Sequence, residues 1–352
     1  MGKILILGAG VMGTALSVPL CQNKHGVNLW GTEFDAEVLE TIRRTGQHVR
    51  LGIPLPEGVT LLSAGELEKA CQNVDIIVLA IASSAIKSIT QKLVPFLKDG
   101  MIIVNAAKGL EEDPKTGNIL TMLDIIESEL PEALRGKNST LTIAGPSIAK
   151  GVAEHVPTEV VFASRDLTAA QHCQKLFSTP VYKVQITTDV IGVGLCAGLK
   201  NVFAVAMGFC DGVESKAGVR AKMDNSKAAL LLEAVAELSK IVRAMGGKEE
   251  TALGLAGIGD LYVTALGGRT SMFGQMIGSG ISPEQAVEKM KNKHLTVEAY
   301  PAAEVAYKLA QMLSRSGKLD MDNLPLLTQI YAVLFKGKDA EAAISDCFAA
   351  LR

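Results

Sequence analysis

The chain has 352 residues, more than one core usually holds, so two domains are expected. Its 48% hydrophobic and 20% charged composition is that of a soluble globular protein, and its net charge of −2 excludes a global basic field for nucleic acid or anionic lipid. Aromatic residues make up only 4%, too few for a base-stacking surface, so no nucleic-acid partner is expected.

The chain opens with a buried-type strand at 3–7 that runs directly into Gly8-Ala9-Gly10-Val11-Met12-Gly13 and then a helix at 14–23. This is G-x-G-x-x-G in the context it requires. Gly8 allows the tight turn, Gly10 lets a pyrophosphate approach the backbone, and Gly13 lets the helix pack on the strand. A signal peptide is a weaker reading of this stretch, because the glycine pattern explains it and no small-x-small site follows. Gly2 is not read as a myristoylation site, since Ile6 stands where Ser or Thr is required. A second strand at 27–31 leads to Thr32-Glu33, and Glu33 lies about 20 residues beyond the glycines, where an acid binds a ribose 2′-hydroxyl. A carboxylate there repels a 2′-phosphate, which favours NAD over NADP. Two further readings stay open: Glu33 as a cap for the helix starting near Phe34, and Arg43 or Arg44 as a partner for a 2′-phosphate.

Helical spacing covers 34–45, 66–71 and 85–97, alternating with strands at 59–62, 75–81 and 101–104; strands at 140–143, 159–163 and 181–184 follow. Strand–helix alternation implies a parallel sheet covered on both faces, a Rossmann-type doubly wound arrangement. Loop-rich patches occupy 46–58 and 111–118. Two strand ends carry polar groups, Asn105-Ala106-Ala107-Lys108-Gly109 and Gly145-Pro146-Ser147-Ile148-Ala149, at the carboxyl edge where such sheets bind ligands. Both are also compatible with ordinary turns.

After residue 184 the pattern becomes helical, with segments at 189–210, 224–245, 284–293, 301–315, 323–335 and 339–350. The 224–245 helix is expected to start on Asp224 or Asn225 and to stop at Gly246-Gly247. The fold class is therefore α/β, an N-terminal doubly wound sheet domain over 1–185 and a C-terminal all-α domain over 186–352. The run at 190–210 is long enough for a membrane span, but Lys200 would sit at the bilayer centre and Gly192, Gly194, Gly198 and Gly208 weaken a lone helix. The central helix of the all-α domain is the better account. Burying an unpartnered ammonium costs several kcal/mol, so Lys200 reads as an acid–base group.

Downstream, Gly257-Ile258-Gly259-Asp260-Leu261 puts an acid in a glycine-flanked turn, able to pair with Lys200 or to cap a helix. Gly267-Gly268-Arg269-Thr270 puts a guanidinium among small residues, suited to a phosphate or simply to a surface loop. Glu298, in Thr296-Val297-Glu298-Ala299-Tyr300, reads as a helix-start residue. Six dispersed cysteines (Cys21, Cys71, Cys173, Cys196, Cys210 and Cys347), none in a C-x-x-C pair, read as buried free thiols of a reducing, cytoplasmic compartment.

Taken in order, GAGVMG, NAAKG, GPSIA, GLKNV, GIGDL, GGR and VEAY make the chain resemble the NAD(P)-dependent sn-glycerol-3-phosphate dehydrogenase family of bacterial and archaeal type. The resemblance covers nearly the whole chain. It implies reversible reduction of dihydroxyacetone phosphate to sn-glycerol 3-phosphate, a supply for glycerophospholipid synthesis. It implies that Lys200 donates or accepts the proton at the substrate oxygen, with Lys108 polarising it. Gly145, Ser147, Asn201, Asp260, Thr264, Gly268, Arg269 and Thr270 are then expected around the substrate. Val11, Met12, Lys108, Ala149, Arg269 and Glu298 are expected at the NAD or NADP. Met12 replaces a usual aromatic, Thr270 a usual Asn, Gly151 a usual Glu, and Thr32-Glu33 the Arg or His of NADP users. The runner-up is another two-domain dehydrogenase, such as a ketopantoate or hydroxyacid reductase. A nucleotide sensor is a third class, and it has no use for a buried lysine–acid pair. The apolar helical half also suits a homodimer.

Overall fold

The computed structural model describes residues 3–216 and 222–351; Gly2 lies outside them. Packing divides the chain into two units, 1–108 with 122–194 and 109–121 with 195–352. The sequence reading places one boundary at 185, so the packing division differs by carrying 109–121 into the helical unit and by falling at Gly194.

The first unit is built on an eight-stranded sheet: β1 (Lys3–Leu7), β2 (Gly26–Trp30), β3 (Val59–Leu62), β4 (Val74–Leu79), β5 (Ile102–Asn105), β6 (Ser139–Ala144), β7 (Thr158–Ala163) and β8 (Tyr182–Thr187). Their spatial order is β8-β7-β6-β5-β4-β1-β2-β3. β1 sits between β2 and β4, with Leu7 in register with Trp30 and Leu79. The near-continuous apolar runs of β1 and β4 are buried on both faces, as parallel strands under helices must be. The expected doubly wound fold is present with one difference. β7 pairs antiparallel with β6, so β7 and β8 reverse the direction of that edge. Helix α1 (Val11–Gln22) follows the glycine loop, and Leu16 and Leu20 join the core beneath it.

The 46–58 patch is not all loop, since Gln47–His48 and Ile53–Pro54 pair as a small hairpin. Likewise 111–118 is spanned by a hairpin of Leu110–Glu112 with Ile119–Thr121. Both ladders are too short for alternation to register in a sequence.

In the second unit, α2 (Val190–Glu214) is the central helix, and its most apolar window is 94% buried. That burial accounts for an apolar 25-residue helix without a bilayer. α3 (Asp224–Ala244) follows; its start is capped by neither Asp224 nor Asn225, since Met223 holds the N-cap position without a side-chain bond. At its other end Gly246 takes φ +89°, and the Gly247 N–H closes on Val242 O at 2.9 Å, as a glycine stop does. Then come α4 (Asp260–Ala265), α5 (Gly268–Gly278), α6 (Ala299–Arg315), α7 (Pro325–Lys336) and α8 (Ala340–Ala350).

α2 and α5 pack backbone on backbone. A Cβ at Gly208 would lie 2.9 Å from Gly274 Cα, and one at Gly212 only 2.2 Å from Gln275 O. Reciprocally, a Cβ at Gly274 or Gly278 would lie 2.4 Å from Val205 O or 2.2 Å from Phe209 O. Glycines four apart on both helices thus set their separation, which fixes where the first turn of α5 falls along α2.

Candidate active site

In the sheet unit, the glycine loop links β1 to α1. Gly8 has φ +106°, and a Cβ there would lie 2.5 Å from Ala80 O. At Gly13 a Cβ would lie 1.9 Å from Gly8 O, so any side chain would force the loop off the helix. Gly10 differs: nothing lies within 4 Å of a Cβ built on it, and it stands at the N-cap of α1 with no side-chain cap. An uncapped helix start with open space before it is a cradle for an anion, and the residues present therefore fit a dinucleotide pyrophosphate. Val11 and Met12 form the first turn of α1 and pack against the unit's core. Ala149 opens the short helix Ala149–Ala153, which packs on α1.

The cap after β2 is not Glu33. Asp35 Oδ2 accepts from the Thr32 N–H and Oγ1, both at 2.8 Å, and Thr32 Oγ1 accepts from the Phe34 N–H. Glu33 is left exposed, and its carboxylate meets Lys92 Nζ at 3.2 Å. Its own backbone N–H, together with Lys92, holds that carboxyl below the usual range. Arg43 and Arg44 lie in the last turn of the helix Ala36–Thr45, about 15 Å of helix rise from Glu33.

At the β5 end, Asn105 Nδ2 donates to Ala107 O (2.9 Å) and to Thr142 Oγ1 (3.1 Å), and Asn105 Oδ1 accepts from the Ala107 N–H. This buried amide shapes the turn that presents Lys108. Gly145, at φ +120°, turns the chain after β6 and leads to Ser147.

The helical unit assembles the other candidates. Lys200 Nζ donates to Asp260 Oδ1 at 2.8 Å and to Thr264 Oγ1 at 2.7 Å. The Thr264 hydroxyl donates in turn to Asp260 O at 2.6 Å. Side-chain exposure is 10% for Lys200 and 2% for Asp260, so the carboxylate supplies the counter-charge that the buried ammonium requires. Asp260 is not in a loop: a π-helical turn, Leu255–Gly259, feeds straight into α4, of which it is the first residue. That wide turn needs Gly257, where a Cβ would lie 1.9 Å from Ala252 O. One turn of α4 then sets Thr264 over Asp260.

Beside this pair runs a second chain of bonds. Asn201 Nδ2 donates to Glu298 Oε2 (2.9 Å), and Thr270 Oγ1 donates to Asn201 Oδ1 (3.2 Å). Arg269 Nη2 donates to Glu298 Oε1 (2.9 Å), and its Nη1 donates to Thr296 Oγ1. Arg269 follows Gly268 at the start of α5, not in a surface loop, and its side chain remains 50% exposed. Glu298 holds the N-cap position of α6 without capping it, its carboxylate being spent on Asn201 and Arg269. The result is a guanidinium tied through Glu298 to Asn201 and Thr270, with Asn201 next in the chain to the buried Lys200.

Thr296, Lys92 and His48 escape a reading by motif. Thr296 is two residues from the noted Glu298, a proximity that hints at it. Lys92 has no local signal, because its partner lies in another element. His48 is fully buried, its Nδ1 accepting from the N–H groups of Arg50 and Leu51.

Two family models match, NAD-dependent glycerol-3-phosphate dehydrogenase N-terminus over residues 3–170 and its C-terminus over residues 189–345. An NADP(+)-dependent glycerol-3-phosphate dehydrogenase of Archaeoglobus fulgidus is 36% identical, over 97% of this chain and 98% of that protein. A glycerol-3-phosphate dehydrogenase [NAD(P)+] of Agathobacter rectalis is 36% identical over 98% and 95%. The crystal structure of glycerol-3-phosphate dehydrogenase from Coxiella burnetii superposes with a TM-score of 0.83 at 27% identity, covering 99% of this chain and 98% of that one. With both halves matched and the full length shared, the chain belongs to the NAD(P)-dependent glycerol-3-phosphate dehydrogenase family.

Proposed function

We propose that this chain interconverts dihydroxyacetone phosphate and sn-glycerol 3-phosphate with NAD or NADP, the product serving glycerophospholipid synthesis. The single observation that carries the reading is Lys200, an ammonium set between a buried carboxylate and a hydroxyl in a largely apolar helix. The bound nicotinamide supplies or takes the hydride. Reduction of a ketone builds negative charge on its oxygen, and Lys200 stabilises that charge and delivers the proton. Asp260 holds the ammonium in place, and Thr264 fixes its direction through the bond it shares with the Asp260 carbonyl. Arg269 and Thr270 bind the phosphate; a planar guanidinium suits its paired oxygens. Lys108 adds a polarising cation, and Gly145 and Ser147 line the substrate side of the sheet unit. Gly8, Gly10 and Gly13 hold the pyrophosphate, with Val11, Met12, Ala149 and Glu298 against the dinucleotide and Glu33 on its ribose.

The test is oxidation of NADH and NADPH with dihydroxyacetone phosphate, with ketopantoate as control. Turnover of the phosphorylated ketone alone is expected; turnover of ketopantoate instead overturns the reading. Lys200→Met should lower kcat by about 10²–10⁴-fold with NADH still bound; near-normal turnover removes Lys200 from the mechanism.

A cytoplasmic location and a homodimer belong to the same proposal. The six cysteines are free, and Leu232, Leu253 and Leu266 expose apolar surface on the helical unit. Light scattering checks the dimer.

A further inference from the structure

The position after β2 presents an ion pair, not a lone acid. Lys92 reaches it from the helix Ile86–Leu93, which buries Ile86, Ile89, Thr90 and Leu93 and so anchors the backbone that carries the lysine. Both partners are open to solvent, with side-chain exposure of 52% for Lys92 and 62% for Glu33. Such a pair opens readily, because an exposed ion pair is held by little net energy. Two ligands meet it differently. A ribose 2′-hydroxyl donates to one Glu33 oxygen while the other stays on Lys92. A 2′-phosphate, carrying about two negative charges, repels Glu33 but finds an ammonium 3.2 Å from the place where the carboxylate sits. Arg43 and Arg44, the first cations after Glu33 along the chain, stand in the far turn of their helix.

We infer that Lys92 is the specificity-determining cation for the 2′-phosphate of NADP, and that the Glu33–Lys92 pair lets one site take either dinucleotide. Glu33 turns to solvent when the phosphate binds, and Lys92 exchanges one anion for another. This rests on the dinucleotide reading of the glycine loop.

Equilibrium binding of NADH and NADPH, followed by nucleotide fluorescence at low and high salt, tests it in wild type, Lys92→Met, Lys92→Arg and Glu33→Gln. Lys92→Met should weaken NADPH by roughly tenfold and NADH by less than about twofold, with the salt dependence of NADPH binding reduced. Lys92→Arg should retain NADPH, and Glu33→Gln should tighten it. Equal weakening of both nucleotides by Lys92→Met, or an unchanged ratio, overturns the inference while leaving the dinucleotide site in place. A wild type that binds neither nucleotide overturns the dinucleotide reading itself.

Discussion

At the scale of residues, the Lys200–Asp260 pair is both machinery and a stability liability. Removing one member leaves the other charged and buried. Asp260→Asn should therefore cost about 3–5 kcal/mol of stability as well as turnover. The double variant Lys200→Met with Asp260→Asn should be more stable than Asp260→Asn alone, because no charge is then stranded. Urea denaturation of the three variants checks this, and strictly additive effects would mean that the two side chains are independent. The pair itself is legible in the sequence. An ammonium in an apolar run demands a counter-ion, and few acids stand among small residues as Asp260 does. The hydroxyl of Thr264 and the Glu298 bridge are not derivable from the residues alone. They join positions 64 and 97 residues apart, a separation at which spacing carries no information.

Among elements, the glycine contact between α2 and α5 sets the relation of Asn201 to Thr270 and Arg269. Gly274→Ala would drive a methyl to 2.4 Å from Val205 O, so the helices must separate. The expected loss is about 1–3 kcal/mol, with a raised KM for dihydroxyacetone phosphate. Gly65→Ala, at a glycine with open space around it, is the neutral control. A denaturation midpoint unmoved by Gly274→Ala would show that the helices are not held by this contact. The strong strands of the sheet were readable because their apolar runs are buried on both faces. α4 and α5 were not, since glycine-rich stretches read as turns and only tertiary contact makes them helical. The reversed edge at β7 was hidden for another reason: strand direction leaves no mark in a single strand's composition.

For the whole molecule, two buried titratable groups pull stability in opposite directions. Glu237 is fully buried and accepts from the Leu326 and Leu327 N–H groups at the start of α7; burial pushes its carboxyl up to about 8, helped slightly by Glu233 and opposed by those two N–H groups and by Lys240. The folded state then holds a proton that the unfolded chain releases near its ordinary value, so stability falls as pH rises from about 4.5 to 8. His48 is lowered by burial, with Asp35 and Arg50 facing it. The folded state keeps it neutral, so its contribution is lost as pH falls below the ordinary imidazole value of about 6.5. Thermal melts should show a decline between about pH 4.5 and 8 that Glu237→Gln flattens and an acid decline below about pH 6.5 that His48→Gln flattens. Melts of the variants that track wild type at every pH would remove both groups as the cause.

The hairpin at 109–121 packs with residues that are synthesised much later. Leu110 packs where a Cβ on Gly198 would lie 2.6 Å away, and Glu112 pairs with Lys308 at 3.0 Å. The ribosome releases Leu110 and Glu112 long before Gly198 and Lys308 exist. The hairpin must wait, unpartnered, while the rest of the sheet is translated. A fragment beginning at residue 195 therefore lacks part of its own core, and adding the 109–121 peptide in trans is the way to restore it.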